Sequence, residues 1–422
     1  MTTKIAVIGF SSRLQRGQAA QLGSRIRALK EFIPDAEFTV FAAHPEIECK
    51  QYDVEMLESM VKLSSPTKML KTLTLFLRCG LWWILHRCFR LNFGLLIRER
   101  RLRELYRSDV VISIGGGILC MDLGTLGLFL SVFHFSFPIL LNRPLVIYGE
   151  TTGPLKGRLA TLLAKIFYNR VKLITLREEG SAKELQGLGI RTPIYVTADS
   201  AFLLEPASRE EAKDILLREG ISEGNRPIIG MSVSRLITRF GFLDLKDRDK
   251  KYSRYVELMA QVVDYLVDTL NATVVFVPHV TEPWGNSDDR VVADDICSLC
   301  KNKTKIRCIK KEYTAEEVKG IIGECDLFVG ARMHALTAST SMHVPTVSIA
   351  YSRKTPEIMG KMLGQERYVL DIKELDYDTL TSTINDAWNH REEIRKDLAP
   401  KIEAMKERAL WNAKLVKDLV VP

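Results

Sequence analysis

The stretch Leu327-Phe328-Val329-Gly330-Ala331-Arg332-Met333-His334-Ala335 carries the decisive pattern. Three apolar residues make a short strand, glycine ends it, and the residues that follow favour a helix running to Ser341. A wholly apolar strand handed straight to a helix belongs to a parallel sheet covered on both faces. Asp326 stands just before it. Asp109 stands in the same relation to Val110-Val111-Ile112-Ser113-Ile114, which ends in Gly115-Gly116-Gly117. Both passages place glycine where strand gives way to helix.

Working outward, strands are expected at 4–9, 37–42, 110–114, 145–148, 173–176 and 194–196. Helices are expected at 17–32 and 158–168. Another follows Ser181, which has capping-box spacing to Glu184, with Gly189 closing the helix. After Glu205-Pro206 a second series begins: helix 210–220, strand 228–233, helix 252–270, strand 273–277, helix 288–300 and strand 306–309. A capping box at Thr314 and Glu317 opens the next helix, and strands 327–329 and 346–350 follow. From Asp376 the chain is helical and charged. The pattern predicts an α/β protein of two Rossmann-like domains, 1–205 and 206–375, facing a cleft, with a helical segment at 376–422. In open parallel sheets ligands bind beyond the strand C-termini.

The chain has 422 residues, 46% hydrophobic and 27% charged, as expected of an ordinary globular protein. Its formal net charge of +8 first suggests a polyanion partner. The excess is local. Residues 62–107 hold eleven Lys/Arg against Glu99 and Glu104, a net of +9, so the rest of the chain is near neutral. Nucleic acid is the least favoured partner, because this basic segment is rich in Leu and Trp rather than spread along a groove. No stretch offers the roughly 20 apolar residues of a spanning helix. The run Leu81-Trp82-Trp83-Ile84-Leu85 with Phe89 lies beside Arg87, Arg90, Arg98 and Arg101. On one continuous helix those arginines share an arc of roughly 80°. That fits an interfacial helix on anionic lipid. It fits equally a core-packing helix pair broken near Gly80, with a solvated basic rim. Eight cysteines are too few for a disulfide scaffold, and Cys297-x-x-Cys300 lacks the second pair of a zinc site. The cytoplasm is the consistent compartment.

Candidate site residues sit where strands end. Arg332 and His334 flank a helix start, where backbone N–H groups and a guanidinium favour an anion. The helix dipole favours a neutral His334, able to accept a proton from a hydroxyl. Arg235, His279, Tyr351 and Lys354 follow other strands of that half. In the first half Gly115, Gly116 and Gly117 can line a ligand's approach, Asp122 follows them, and Glu150 and Arg177 close two strands. The G-G-G turn lacks the spaced glycine of a dinucleotide fingerprint.

Several of these segments together resemble the polysaccharide pyruvyl transferase family. They are the triple glycine after Asp109, Gly149-Glu150-Thr151-Thr152-Gly153-Pro154, and Ile174-Thr175-Leu176-Arg177-Glu178-Glu179 with Ser181. Val196-Thr197-Ala198-Asp199 follows, then Gly330-Ala331-Arg332-Met333-His334-Ala335 with Val344-Pro345 and Tyr351. The ordered set, over roughly residues 105–365, is more specific than any member. The resemblance implies a GT-B-like fold and transfer of pyruvate from phosphoenolpyruvate to two hydroxyls of a sugar, forming a ketal. It implies no further cofactor and no metal, with Arg177 and the Arg332/His334 pair at the donor site. Arg177 and Arg332 are then expected as anion clamps and His334 as general acid/base. A lipid-linked acceptor would place the enzyme peripherally on the inner face of the membrane. Where the family often has an Asn-x-Gly-Asp-like stretch after the first strand, residues 11–18 carry no acid, on what is expected to be the acceptor side. Two other readings fit the same features: a GT-B glycosyltransferase with a nucleotide-sugar donor, and a non-catalytic partner in polysaccharide assembly.

Overall fold

Strands that are apolar at every position need cover on both faces, and helices supply it in each half of the chain. The computed structural model describes all residues except 1, 48–51, 63, 92–93, 116, 118–123, 222–225, 285–286 and 421–422. The first series is β1 (Lys4–Phe10), α1 (Arg16–Phe32), β2 (Glu37–Ala42), β3 (Glu55–Glu58), α2 (Pro66–Phe89), α3 (Arg100–Arg107) and β4 (Val110–Ser113). It continues through α4 (Gly124–Leu140), β5 (Leu145–Glu150), α5 (Arg158–Tyr168), β6 (Leu173–Leu176), α6 (Glu179–Gly187) and β7 (Ile194–Val196). The second is α7 (Arg209–Arg218), β8 (Ile228–Ser232), α8 (Arg248–Thr269), β9 (Thr273–Phe276), α9 (Asp289–Leu299), β10 (Ile306–Cys308) and α10 (Ala315–Gly323). Then come β11 (Leu327–Gly330), α11 (Met333–Ser341), β12 (Thr346–Ala350), β13 (Val369–Asp371), α12 (Tyr377–Asn389) and α13 (Arg391–Val420).

Each series makes one parallel sheet. The orders are β3-β2-β1-β4-β5-β6-β7 and β10-β9-β8-β11-β12-β13. The two glycine-ended strands, β4 and β11, hold the same place beside the first strand of their sheet. Their preceding aspartates do the same work. The Asp109 carboxylate accepts from Lys4 N at 2.8 Å, and Asp109 N donates to Lys4 O at 2.8 Å. The Asp326 carboxylate accepts from Ile228 N at 2.9 Å, and Asp326 N donates to Ile228 O at 2.8 Å. Each Asp thus fixes the register of a central strand pair.

In the first sheet, alternate residues feed two cores. Ile8, Val111, Ile147 and Ile174 pack with α2, α3, α4, α5 and α6 through residues such as Trp82, Leu105, Phe135, Phe167 and Leu185. Val7, Ile112 and Val146 pack with Leu22 and Ile26 of α1 and with Ala413 and Val416 of α13. The chain divides into two compact units: Met1–Arg13 with Gln21–Leu203 and Glu407–Pro422, and Leu14–Ala20 with Leu204–Lys406. The C-terminal segment is therefore not a piece of its own. The later half of α13 is needed to cover the first sheet. Buried Asn412 anchors it there: its Nδ2 donates to Ala198 O at 3.1 Å, and its Oδ1 accepts from Thr197 at 2.8 Å and Thr175 at 2.5 Å.

Three local expectations change. Ser181 does not cap α6; its hydroxyl bonds Glu178 and, at 2.9 Å, the Thr152 carbonyl. Glu178 holds the N-cap position with extended backbone. In the basic segment α2 runs unbroken through Gly80 and ends at Arg90, whose φ of 53° closes the helix. Arg98 and Arg101 lie beyond that end, so the four arginines share no single helix face. Arg101 instead pairs with Glu99 at 2.7 Å and Glu58 at 3.3 Å. Among the described residues, no helix is long and apolar enough to cross a membrane.

Asn412→Ala leaves two buried hydroxyls and a carbonyl short of a partner. Urea denaturation should show a loss of about 2–3 kcal/mol, with the far-ultraviolet circular dichroism spectrum retained.

Candidate functional site

In the first unit the strand ends β4, β5 and β6 converge on a buried polar network. Arg177, one residue past β6, is fully buried. Its guanidinium pairs with Asp199 and donates from Nε to Thr151 at 2.7 Å. Thr151 in turn donates to Glu178 at 2.9 Å. Asp199 also accepts from Gln21 Nε2 at 3.0 Å and from Ala201 N at 2.9 Å. Burial works against the Arg177 charge, but Asp199, Glu178 and Glu150 outweigh it and raise its pKa. Arg177 is thus an internal strut in this structure rather than a clamp open to an anion, because its hydrogen-bonding edge is already used.

A second arginine, Arg25 of α1, sits beneath the glycine turn. It donates to Ser113 O at 2.6 Å, Tyr148 O at 3.0 Å and Ser200 at 3.0 Å, and lies 4.6 Å from the Tyr148 ring centroid. Burial pushes its pKa down to about 10. Gly115 has φ of +78°, and a Cβ there would stand 2.5 Å from Arg25 Nη2 and 2.8 Å from the Tyr148 carbonyl. This glycine therefore serves the close approach of the arginine. Gly117 N donates at 2.5 Å to Glu150, which is buried at the end of β5. Gly116 and Asp122 lie outside the described residues.

In the second unit the start of α11 presents Arg332 at the N-cap and His334 in the first turn, both half-buried. The Arg332 guanidinium is gripped along one edge by buried Asp289, with Nη2 at 2.5 Å and Nε at 3.2 Å, and Nη2 also meets Ser287 O at 3.3 Å. Asp289 opens α9, and its other contacts are His279 N at 3.1 Å and Val280 N at 2.9 Å. One carboxylate so fixes both the arginine and the loop bearing His279. His279 is buried, and desolvation, helped by nearby His334, drives its pKa down to about 3. The imidazole is neutral at ordinary pH.

The stretch after β1 joins this unit rather than the first. Arg16 N donates to His279 O at 2.9 Å, Thr281 N to Leu14 O at 3.0 Å, and Gln15 Nε2 to Glu282 at 2.9 Å. Gly17 then faces His334: a Cβ at residue 17 would lie 2.1 Å from His334 Nδ1. The acid-free segment expected on the acceptor side instead packs against the histidine of the expected donor side. Glycine is required because the imidazole occupies the space of a side chain.

The remaining candidates divide. Tyr351 stacks on Phe240 with centroids 5.5 Å apart, and Lys354 Nζ lies 5.8 Å from the Tyr351 ring. Arg235 is spent on Tyr252, 4.2 Å from its centroid, and on Asp249 at 3.4 Å. Sequence reasoning assigned no role to Asp289, Gly17, Arg25 or Asp199. Asp199 stood in a noted stretch, but Asp289 had no signal beyond a helix start.

The polysaccharide pyruvyl transferase family model matches residues 18–353. The amylovoran biosynthesis protein AmsJ of Erwinia amylovora is 24% identical over 318 residues, 75% of this chain and 74% of AmsJ. Two solved structures are similar throughout. The UDP-GlcNAc 2-epimerase of Neisseria meningitidis has a TM-score of 0.58 at 11% identity, covering 98% of this chain and 99% of that one. A glycosyltransferase of Rickettsia africae has a TM-score of 0.56 at 10% identity, covering 99% and 98%. These likenesses establish the GT-B-like fold of two Rossmann-like units.

Two substitutions test the frameworks. Asp199→Ala removes the direct ion-pair partner of buried Arg177 and should cost about 3–5 kcal/mol of stability in urea. The depressed His279 pKa means the unfolded chain binds the extra proton between about pH 6.5 and pH 3. Stability is full above pH 6.5 and falls as the pH drops through that window. His279→Asn should lose less stability than the parent between pH 7 and pH 4.5; equal losses would show that His279 does not titrate in this way.

Proposed function

Since the chain belongs to the polysaccharide pyruvyl transferase family, we propose that it transfers pyruvate from phosphoenolpyruvate to two hydroxyls of one sugar, giving a cyclic ketal and inorganic phosphate. The acceptor is a sugar of a cell-surface polysaccharide or of its lipid-linked precursor. The observation that carries the reading is the start of α11, which bears Arg332, held by Asp289, and His334, packed against Gly17.

The chemistry asks for two things. The carboxylate and phosphate of the donor need a cation, and the enol carbon needs a proton so that C2 becomes electrophilic. A first sugar hydroxyl then adds to C2 and gives up its proton. Phosphate leaves, taking the C2–O electrons, and the second hydroxyl adds with loss of its own proton. Arg332 meets the first need. Asp289 holds one guanidinium edge, so the group is oriented before substrate arrives, and charge-assisted bonds from it favour an anion. His334 meets the second as the group that gives and takes protons. Gly17 positions it, since any larger residue would displace the ring. Arg177 supports the strand ends of the first unit from inside.

Phosphate release from phosphoenolpyruvate, assayed against a panel of lipid-linked and nucleotide-linked sugars, is the direct test. His334→Ala should lower turnover by about 10²–10⁴-fold, and wild-type turnover in this variant would remove the assignment. Gly17→Ala should keep the fold but shift the pH–rate profile as the ring moves. Thermal stabilisation by a nucleotide sugar and none by phosphoenolpyruvate would support a glycosyltransferase instead.

A further inference from the structure

Helix α2 turns an apolar face to solvent. Leu70, Leu73, Leu77, Leu81 and Ile84 are each 46–66% exposed. At helical spacing they fall within roughly 80° of arc. The opposite face, Leu75, Cys79 and Trp82, is buried. A surface helix ordinarily shows polar residues there. The pattern extends to neighbouring helices. α4 packs against both α2 and α5, with the rings of Phe76 of α2 and Phe133 of α4 tilted against each other, centroids 4.4 Å apart. Leu126 and Phe129 of α4 and Leu159, Leu162 and Ile166 of α5 are exposed as well. Apolar residues gathered in this way mark an interaction surface, unlike single scattered ones.

Near the C-terminal end of α2 lies a cavity of about 580 Å³ lined by Trp83, Arg87, Arg143, Arg170 and Lys172, with no carboxylate in its lining. Arg87 lies 5.7 Å from the Trp83 centroid, and Arg143 lies 4.8 Å from that of Tyr106. Among the described residues none of these four cations forms an ion pair. Four unneutralised cations around one cavity call for a phosphate-bearing partner, and an adjoining apolar helix face calls for hydrocarbon.

We propose that this surface docks the protein on an anionic lipid bilayer. The apolar stripe of α2 sits at the headgroup–acyl boundary, and the phosphate of a lipid headgroup enters the cationic cavity. The net charge of +9 over residues 62–107 supplies the complementary long-range attraction. A second copy of the chain fits the surface less well, because an isologous contact brings like-charged patches together. A nucleic acid leaves the leucine stripe uncovered. The inference is independent of the reaction, and its test reads binding rather than turnover.

The 422-residue chain is co-sedimented with vesicles of phosphatidylcholine alone and of phosphatidylcholine mixed with phosphatidylglycerol. Binding to the mixed vesicles should be the stronger and should weaken as sodium chloride is raised. The double variant Leu73→Ser/Leu77→Ser should lose binding to both. Arg143→Ser/Arg170→Ser should lose at least about tenfold of the preference for phosphatidylglycerol and keep its binding to phosphatidylcholine. Lys301→Ser/Lys303→Ser, exposed on the other unit, should behave as the parent. Circular dichroism verifies folding of each variant. No binding to mixed vesicles, or parental binding by both test variants, would overturn the proposal. So would a dimer in sedimentation velocity that Leu73→Ser/Leu77→Ser converts to monomer, which would place a second copy on this face.

Discussion

A buried charge must find its opposite, and in the first unit that constraint centres on Asp199. Its carboxylate meets Arg177, Gln21 and the backbone of Ala201 in a region closed to water. Losing any one partner leaves an ionic or polar group stranded at low dielectric. The position of α1 follows from it, since Gln21 and Arg25 are one helical turn apart and both engage the strand ends. The glycine turn follows too, because Arg25 fills the space against Gly115. What looks from sequence like a ligand loop is partly shaped by the arginine beneath it.

The second unit solves a related problem differently. Asp289 is buried and bonded to one edge of Arg332, yet Arg332 itself stays half-buried at a helix start. The guanidinium is held along one edge, and the side chain keeps about 15% of its surface exposed. The neighbouring His334 is set by Gly17, a residue distant in sequence and brought in by the pairing of residues 14–16 with 279–282. Both groups are therefore fixed from behind, as the proposed reaction requires of groups that meet a charged transition state. Family membership gives that geometry its meaning; a GT-B-like fold alone is shared by epimerases and glycosyltransferases.

Much of the fold was legible. Strands such as 145–148 and 327–329 are apolar and buried throughout, so burial on both faces left them no alternative. The two strands with no sequence signal, β3 and β13, are sheet edges. They are only four and three residues long and carry acids at their exposed positions. The Asp109/Asp326 echo was visible as a pattern, and its cause is a shared backbone clasp on the first strand of each sheet. The capping box at Thr314 is present, whereas the one expected at Ser181 is not, because Thr152 and Glu178 compete for the same hydroxyl.

By itself, the sequence determined the fold class and the family to which the motif order points. Periodicity and local turn chemistry act over a few residues, and those are readable along a chain. Tertiary structure alone decided which cations stay open. Arg177 and Arg332 look alike in sequence, each following a strand, but one is wholly buried and bonded to Thr151 and to Asp199, 22 residues away, and the other is held along one edge with part of its side chain exposed. It also decided that Gly17 backs His334 and that five leucine-type residues of α2 face outward. Those outcomes depend on pairings between distant residues, and no local pattern encodes which partner a buried charge or an apolar face will meet.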